Sequence, residues 1–320
     1  MAKYRSALPQ LGGDFFMTDG GLETTLIFLE GHDLPEFAAF VLLDTPEGED
    51  ALRKYFLTYA QLANRFNTGL VLETATWRAN PDWGEKLGYT RDGLAQANNK
   101  AVRLIEEIRS DYETPQTPIV VSGCVGPRGD GYVVDDAMSD KEAEDYHRVQ
   151  IETFAGTAAD LVSAITMNYA QEAVGVARAA EQADMPVVLS FTVETDGRLP
   201  TGQSLGDAIN QVDDATSGYP AYYMINCAHP SHFDQAVEGE EPWVERVRGL
   251  RANASRMSHA ELDVAPELDA GVPSELGQEY AGLRKQQLKH LNVMGGCCGT
   301  DHRHVEHIAS ACLPLFRVTA

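Results

Sequence analysis

The chain has 320 residues, enough for two average domains or for one (β/α)8 barrel. Aspartate and glutamate number 48 against 25 lysines and arginines, a formal charge of -23, which argues against nucleic acid and anionic membrane as partners. The N-terminus, MAKYRSALPQLGGDFF, lacks a basic-then-apolar signal pattern, and no apolar run approaches a membrane span, so a cytoplasmic location is expected.

Short β-rich runs alternate with longer amphipathic ones. FFMTDG (15–20) is the first strand candidate, followed by a helical stretch, PEGEDALRKYFLTYAQLANRF (46–66). LVLETAT (70–76) and PIVVSGC (118–124) come next, then the helical SDKEAEDYHRVQIETFAGTAA (139–159), whose serine stands as an N-cap should. DLVSAIT (160–166), PVVLSFTV (186–193), AYYMINC (221–227), VRGLRAN (247–253) and NVMGGCC (292–298) complete the strand candidates. Before the last of these, the acidic, proline-bearing HAELDVAPELDAGVPSELG (259–277) reads as a long βα loop, and SELGQEYAGLRKQQLKHL as a helix. Eight β runs, each with a helical successor, predict a single (β/α)8 TIM barrel over residues 1–320. A doubly wound sheet would leave two or three strands over.

Barrel enzymes place their chemistry at the C-terminal strand ends. The groups expected there are Asp19, Cys227, Cys297 and Cys298. Of the five cysteines, Cys124 and Cys312 lie in apolar stretches and read as small packed hydrophobes. The other three fall in turn- or glycine-rich contexts, and in a reducing compartment such thiols are more often metal ligands or nucleophiles than disulfide partners. Adjacent Cys297 and Cys298 rarely bond to each other, because the resulting ring is strained. Three converging thiolates without a fourth match an open Zn²⁺ site, with one position left for water or substrate. Their summed charge makes the metal a poor activator of water but keeps an added thiolate nucleophilic. A rival ligand pair, His304 and His307 in HRHVEH, reads better as capping or surface groups.

The motifs INCAH (225–229) and GGCCGT (295–300), with TDGGLETTL (18–26), SGCVGPRGD (122–130) and SFTVETDGRLPTG (190–202), resemble the homocysteine S-methyltransferase family over nearly the whole chain. The resemblance implies a (β/α)8 barrel with catalytic zinc on Cys227, Cys297 and Cys298, homocysteine supplying the fourth ligand as a thiolate. It further implies that Asn253 serves as a ligand in the substrate-free state. Asp19 would pair with the substrate ammonium, and the backbone N–H groups of Gly20 and Gly21 would hold its carboxylate. A small thiol and a methyl donor are the partners implied, with room for a homo-oligomer. The product would be methionine, and the donor a sulfonium such as S-methylmethionine or S-adenosylmethionine.

The sequence departs from that family on the fourth strand. The family carries a Glu–Thr pair there, whereas this chain has Ile165, which cannot pair an ammonium. Glu73, inside an otherwise apolar second strand, is the candidate substitute. Its alternative is a salt bridge to Arg78 or Arg103, since a buried carboxylate needs a partner. Glu194 reads as a rim carboxylate or, better, a solvated loop residue. The tyrosines of the betaine enzyme correspond to Arg78 and Thr166, so a trimethylammonium donor is disfavoured; Trp77, Trp83 and Tyr222 remain as surfaces for a cationic donor. Methylation of a related thiol, a zinc-water hydrolase or lyase, and a catalytically altered zinc-binding homologue are the competing functions.

Overall fold

The computed structural model describes residues 1–265 and 267–316. Its strands are β1 (Phe16–Met17), β2 (Gly69–Glu73), β3 (Ile119–Val125), β4 (Leu161–Met167), β5 (Val187–Phe191), β6 (Tyr222–Asn226), β7 (Val247–Ala252) and β8 (Val293–Gly296). They pair in parallel in sequence order, and β8 pairs with β1 to close the barrel, Phe16 lying opposite Val293. This is a single (β/α)8 barrel, as the alternation of β and helical runs predicts. No helix among the described residues is long and apolar enough to cross a membrane.

Apart from β3 and β4, which keep the length of their runs, the strands are shorter than their sequence runs, most of all β1. Its pairing with β8 nevertheless continues past Met17: Thr18 N–H donates to the Met294 carbonyl at 2.9 Å, and Gly296 N–H to the Asp19 carbonyl at 2.9 Å. The first and last strands therefore deliver Asp19 and the cysteine turn to neighbouring points on one rim.

Strand side chains alternate between the barrel interior and the helical shell. Val71, Val120 and Val188 belong to the interior cluster with Leu8, Phe16 and Ile165, while Leu70, Leu72, Val121 and Leu189 join the outer core. Parity then carries the argument upward. Glu73 lies two residues beyond Val71, and Asn226 two beyond Met224, so both face inward near the top.

The helices follow the caps written in the sequence. Pro46–Phe66 starts where the Thr45 hydroxyl accepts from Gly48 N–H at 3.1 Å, with proline in its first turn, and stops at Asn67 in the left-handed region. Asp140–Ala155 opens with a reciprocal Ser139–Glu142 capping box. The acidic stretch read as a loop contains a short helix, His259–Asp263, started by a second capping box of Ser258 and Glu261.

Candidate active site

Cys227 follows β6 directly, and Cys297 and Cys298 follow β8. The chain turns sharply at both places. Cys227 takes a φ of 53°, rare for a residue with a side chain, and its N–H donates to the Arg251 carbonyl at 3.0 Å. Cys297 N–H donates to the Ala252 carbonyl at 2.8 Å, so both cysteines are pinned to β7. Thr300 closes the second turn with its N–H and hydroxyl on the Cys297 carbonyl at 3.1 and 2.7 Å, and Gly299 supplies the required positive φ of 78°.

This folding brings the three sulfurs within 4.8 Å of one another. Cys227 and Cys297 are joined as a disulfide, with Cα atoms 5.4 Å apart, and Cys298 keeps a free thiol. That differs from the expectation of ligands rather than disulfide partners. Two sulfurs aimed at one point also lie within reach of each other, so one placement serves both chemistries. Asn253 stands beside them: Nδ2 donates to the Cys227 carbonyl at 3.0 Å, while Oδ1 is buried with no hydrogen-bond partner among the described residues. A buried acceptor left unmet costs about 1–3 kcal/mol. With that disulfide reduced, three thiols and one orphaned oxygen are a donor set that fits Zn²⁺.

Three loops interlock above the sulfurs. Tyr132, after β3, places its hydroxyl 3.9 Å from Cys298 Sγ and stacks on the His259 ring at 4.0 Å. His259 Nε2 contacts the Cys227 carbonyl at 2.5 Å, and Nδ1 meets Glu194 at 3.1 Å. Burial, reinforced by the charge of Glu23, pushes the Cys298 thiol up to about 11, against the pull of the Tyr132 hydroxyl.

Beneath them lies a buried charge cluster centred on Arg251. Its Nη2 donates to Asp19 Oδ1 at 2.6 Å, its Nε to the Gly296 carbonyl at 3.1 Å, and its Nη1 pairs with Glu73. The second oxygen of Asp19 accepts from the Tyr55 hydroxyl at 3.0 Å. Burial pushes both carboxyls above their ordinary values, while the guanidinium pulls them down.

Comparison with known proteins gives the family. The family profile for homocysteine S-methyltransferases matches residues 16–312. The chain belongs to the homocysteine S-methyltransferase family. It is 24% identical to homocysteine S-methyltransferase 2 of Arabidopsis thaliana over 92% of this chain and 91% of that protein. It is equally 24% identical to the selenocysteine Se-methyltransferase of Brassica oleracea var. italica, over 92% of this chain and 88% of that one. Among solved structures, the oxidised form of the homocysteine methyltransferase MmuM from Escherichia coli shares the fold. Its TM-score is 0.71 at 20% identity, covering 96% of this chain and 99% of that one. The metallated form of MmuM superposes with a TM-score of 0.69, at 20% identity over 93% and 96% of the two chains.

Within this methyltransferase, several expected contacts are arranged differently. Glu73 pairs neither with Arg78 nor with Arg103: its carboxylate is bound to Arg251, which already fills the place expected for a substrate ammonium. Arg78 instead donates to the Gly129 carbonyl at 2.9 Å and lies over the Trp77 and Trp83 rings at 4.2 and 3.7 Å. Gly21 N–H is engaged by the Thr300 carbonyl and hydroxyl at 3.0 and 3.1 Å, so it is not free to cradle a carboxylate. Both glycines also allow close approach, since a Cβ on Gly20 would lie 2.7 Å from the Tyr59 hydroxyl and one on Gly21 2.5 Å from the Cys297 carbonyl oxygen.

Ile165 sits in the interior cluster, its carbonyl accepting from Trp77 Nε1 at 3.1 Å. Tyr222 opens β6 and packs in the interior cluster with Leu8 and Phe16, remote from the rim. Glu194 meets His259 at 3.1 Å while about a third of its side chain stays exposed, the position of a rim carboxylate. His304 closes the N-cap of the last helix through Asp301 and contacts the Ala270 carbonyl at 2.8 Å, which fits the capping reading.

Three features escape the sequence reading. Arg251 is one, although a charged residue in VRGLRAN at the parity of Gly249 is a signal for it. Tyr132 lies on a loop and His259 opens a helix of five residues, neither long enough to show a period. Glu23, on the turn Leu22–Thr24, forms no salt bridge with any described residue, and burial raises its carboxyl to about 7.

Proposed function

We propose that this chain is a zinc-dependent methyltransferase that carries a methyl group from a sulfonium donor to the thiol of homocysteine, giving methionine. The observation that carries the reading is the meeting of three cysteine sulfurs within 4.8 Å beside the orphaned Asn253 oxygen. Cys227, Cys297 and Cys298 would hold the ion in their reduced form, with Asn253 at hand when substrate is absent. Bound zinc supplies one thing, a lowered pKa that keeps the acceptor thiol deprotonated at neutral pH.

The protein's own residues do the rest by positioning. Tyr132, His259 and Glu194 tie the loops after β3, β5 and β7 over the sulfurs and keep water from the reacting pair. The acceptor sulfur attacks the donor's methyl carbon, the donor carbon–sulfur bond breaks, and the donor leaves as a neutral thioether. A trimethylammonium donor needs open aromatic faces. Here the Trp77 and Trp83 rings are covered by the Arg78 guanidinium, which favours the sulfonium. The plant relatives, named for homocysteine and selenocysteine, support a thiol or selenol amino acid as acceptor. A reducing cytoplasm is the compartment that suits these ligands.

The test is metal content together with methyl transfer. Reduced protein is expected to hold about one zinc per chain and to methylate homocysteine from S-methylmethionine or S-adenosylmethionine. Full zinc occupancy in Cys298→Ser would overturn the ligand set. Turnover with betaine and none with sulfonium donors would overturn the donor.

A further inference from the structure

We propose that Glu23 receives the ammonium group of the acceptor amino acid, the role that Asp19 and Glu73 cannot fill while Arg251 holds them. The inference rests on the methyltransferase reading above and names the residue that selects its substrate.

The placement of Glu23 is fixed from both sides. Preceding it, Gly21 is bonded through its N–H to Thr300 and packs against the Cys297 carbonyl. Following it, the Thr24 hydroxyl accepts from Gly299 N–H at 3.3 Å. The turn that carries Glu23 is thus fastened to the turn that carries Cys297 and Cys298. Its carboxylate acts through charge on Cys298 and Asp19, just past β8 and β1, on Arg251 of β7, and on Arg78 in the loop after β2.

Charge bookkeeping then gives it a task. Asp19 and Glu73 share one guanidinium, and Asp19 also holds the Tyr55 hydroxyl. Arg78, the other nearby cation, donates to Gly129 and lies over two indole faces without forming an ion pair with Glu23. Glu23 is half-buried yet forms no salt bridge with any described residue. Carboxylates withdrawn from water are normally paired, so this one is set for a cation that arrives from outside. Homocysteine carries its ammonium three carbons from its sulfur, and a carboxylate on the turn fastened to the cysteine turn is placed to meet it once the thiol is at the cysteines. The chain thereby recovers from the opening turn the anion that Ile165 withholds on β4.

The experiment is calorimetric binding to the reduced, zinc-loaded full chain, using homocysteine and 4-sulfanylbutanoate, which keeps the thiol and carboxylate but lacks the amine. Glu23→Gln is expected to weaken homocysteine on the order of ten- to a hundredfold and to leave 4-sulfanylbutanoate within about twofold. Glu23→Asp should give a smaller loss, again for homocysteine alone. Zinc content and melting temperature, unchanged, establish that both variants are folded. Equal losses for the two thiols, unchanged homocysteine affinity, or weakening of the sulfonium donor instead would overturn the assignment. Wild-type protein that binds neither thiol would overturn the methyltransferase reading itself, whereas wild-type binding with no effect of Glu23→Gln overturns this inference only.

Discussion

The barrel buries an arginine at each end, and the two sites solve the problem of buried charge differently. At the bottom, Arg109 meets Asp160 at 2.7 Å, and the same carboxylate accepts from the backbone N–H groups of Lys3, Tyr4 and Val121. One cation faces one anion, and both oxygens are filled. At the top, Arg251 faces Asp19 and Glu73 together, and a third carboxylate, Glu23, stands within reach of their charge. Side-chain exposure is nearly the same, 7% and 0% at the bottom against 8%, 3% and 5% at the top. Burial therefore does not separate a structural ion pair from a site. The surplus of unmatched anions does, and it falls at the end of the barrel where substrates bind.

The harshest way to break the comparison is to remove the upper cation. Arg251→Met would leave two buried carboxylates facing each other, and a loss of about 3–5 kcal/mol in urea unfolding is expected. The pH dependence has a definite sign. Both carboxyls already lie above their ordinary values, burial being the main cause, and losing the guanidinium raises them further. A group raised in the folded state stabilises below its unfolded pKa and loses that contribution as pH rises through the folded one. The variant should thus be more stable at about pH 5 than at about pH 8, and Glu73→Gln added to it should restore part of the loss. A variant whose stability rises with pH over that range would contradict this account.

Removing the lower cation should hurt less. In Arg109→Met, Asp160 keeps its three backbone donors, so about 2 kcal/mol is expected, with homocysteine affinity unchanged. A loss of homocysteine binding would mean that the two ends communicate. Tyr132→Phe probes the upper end more gently. It removes one hydroxyl from Cys298 and should slow alkylation of that thiol by iodoacetamide by about two- to tenfold. An unchanged rate would show that the hydroxyl does not act on the sulfur.

The two ends also differ in how much of them could be read in advance. The eight strands were legible because buried parallel strands are short apolar runs, and the helix Pro46–Phe66 because Thr45, Pro46 and Asn67 mark its ends. Cys297 and Cys298 were legible because thiols on glycine backbone have few structural uses. The partner of Glu73 was not. Arg251 lies 178 residues away, and only closure of the barrel with its register brings the two together. Glu23 was hidden for another reason: in TDGGLETTL it reads as an ordinary first-turn acid, and its orientation depends on Thr300 and Gly299 at the far end of the chain. Types of residue announced the cysteine cluster, whereas the balance of charge around it appeared only with the fold.

The gentlest test returns to the bottom of the barrel, to a carboxylate that has its own cation. Glu113 accepts from the Tyr4 hydroxyl at 2.6 Å and from Ile119 N–H at 3.0 Å, and it pairs with Lys3. Burial pushes its carboxyl up, but these three donors outweigh burial and hold it below the ordinary value. A group lowered in the folded state stabilises above its unfolded pKa and loses that contribution as pH falls through the folded one. Glu113→Gln keeps an acceptor for Tyr4 and Ile119 but gives up the charge, so it should cost about 1 kcal/mol at neutral pH. That gap between wild type and variant should close as pH falls from about 5 to about 3, because the wild-type carboxylate is then neutralised too. Urea midpoints at several pH values would show it. A gap that widens on acidification would mean that Glu113 behaves like the carboxylates at the top, and the contrast between the two ends would fail.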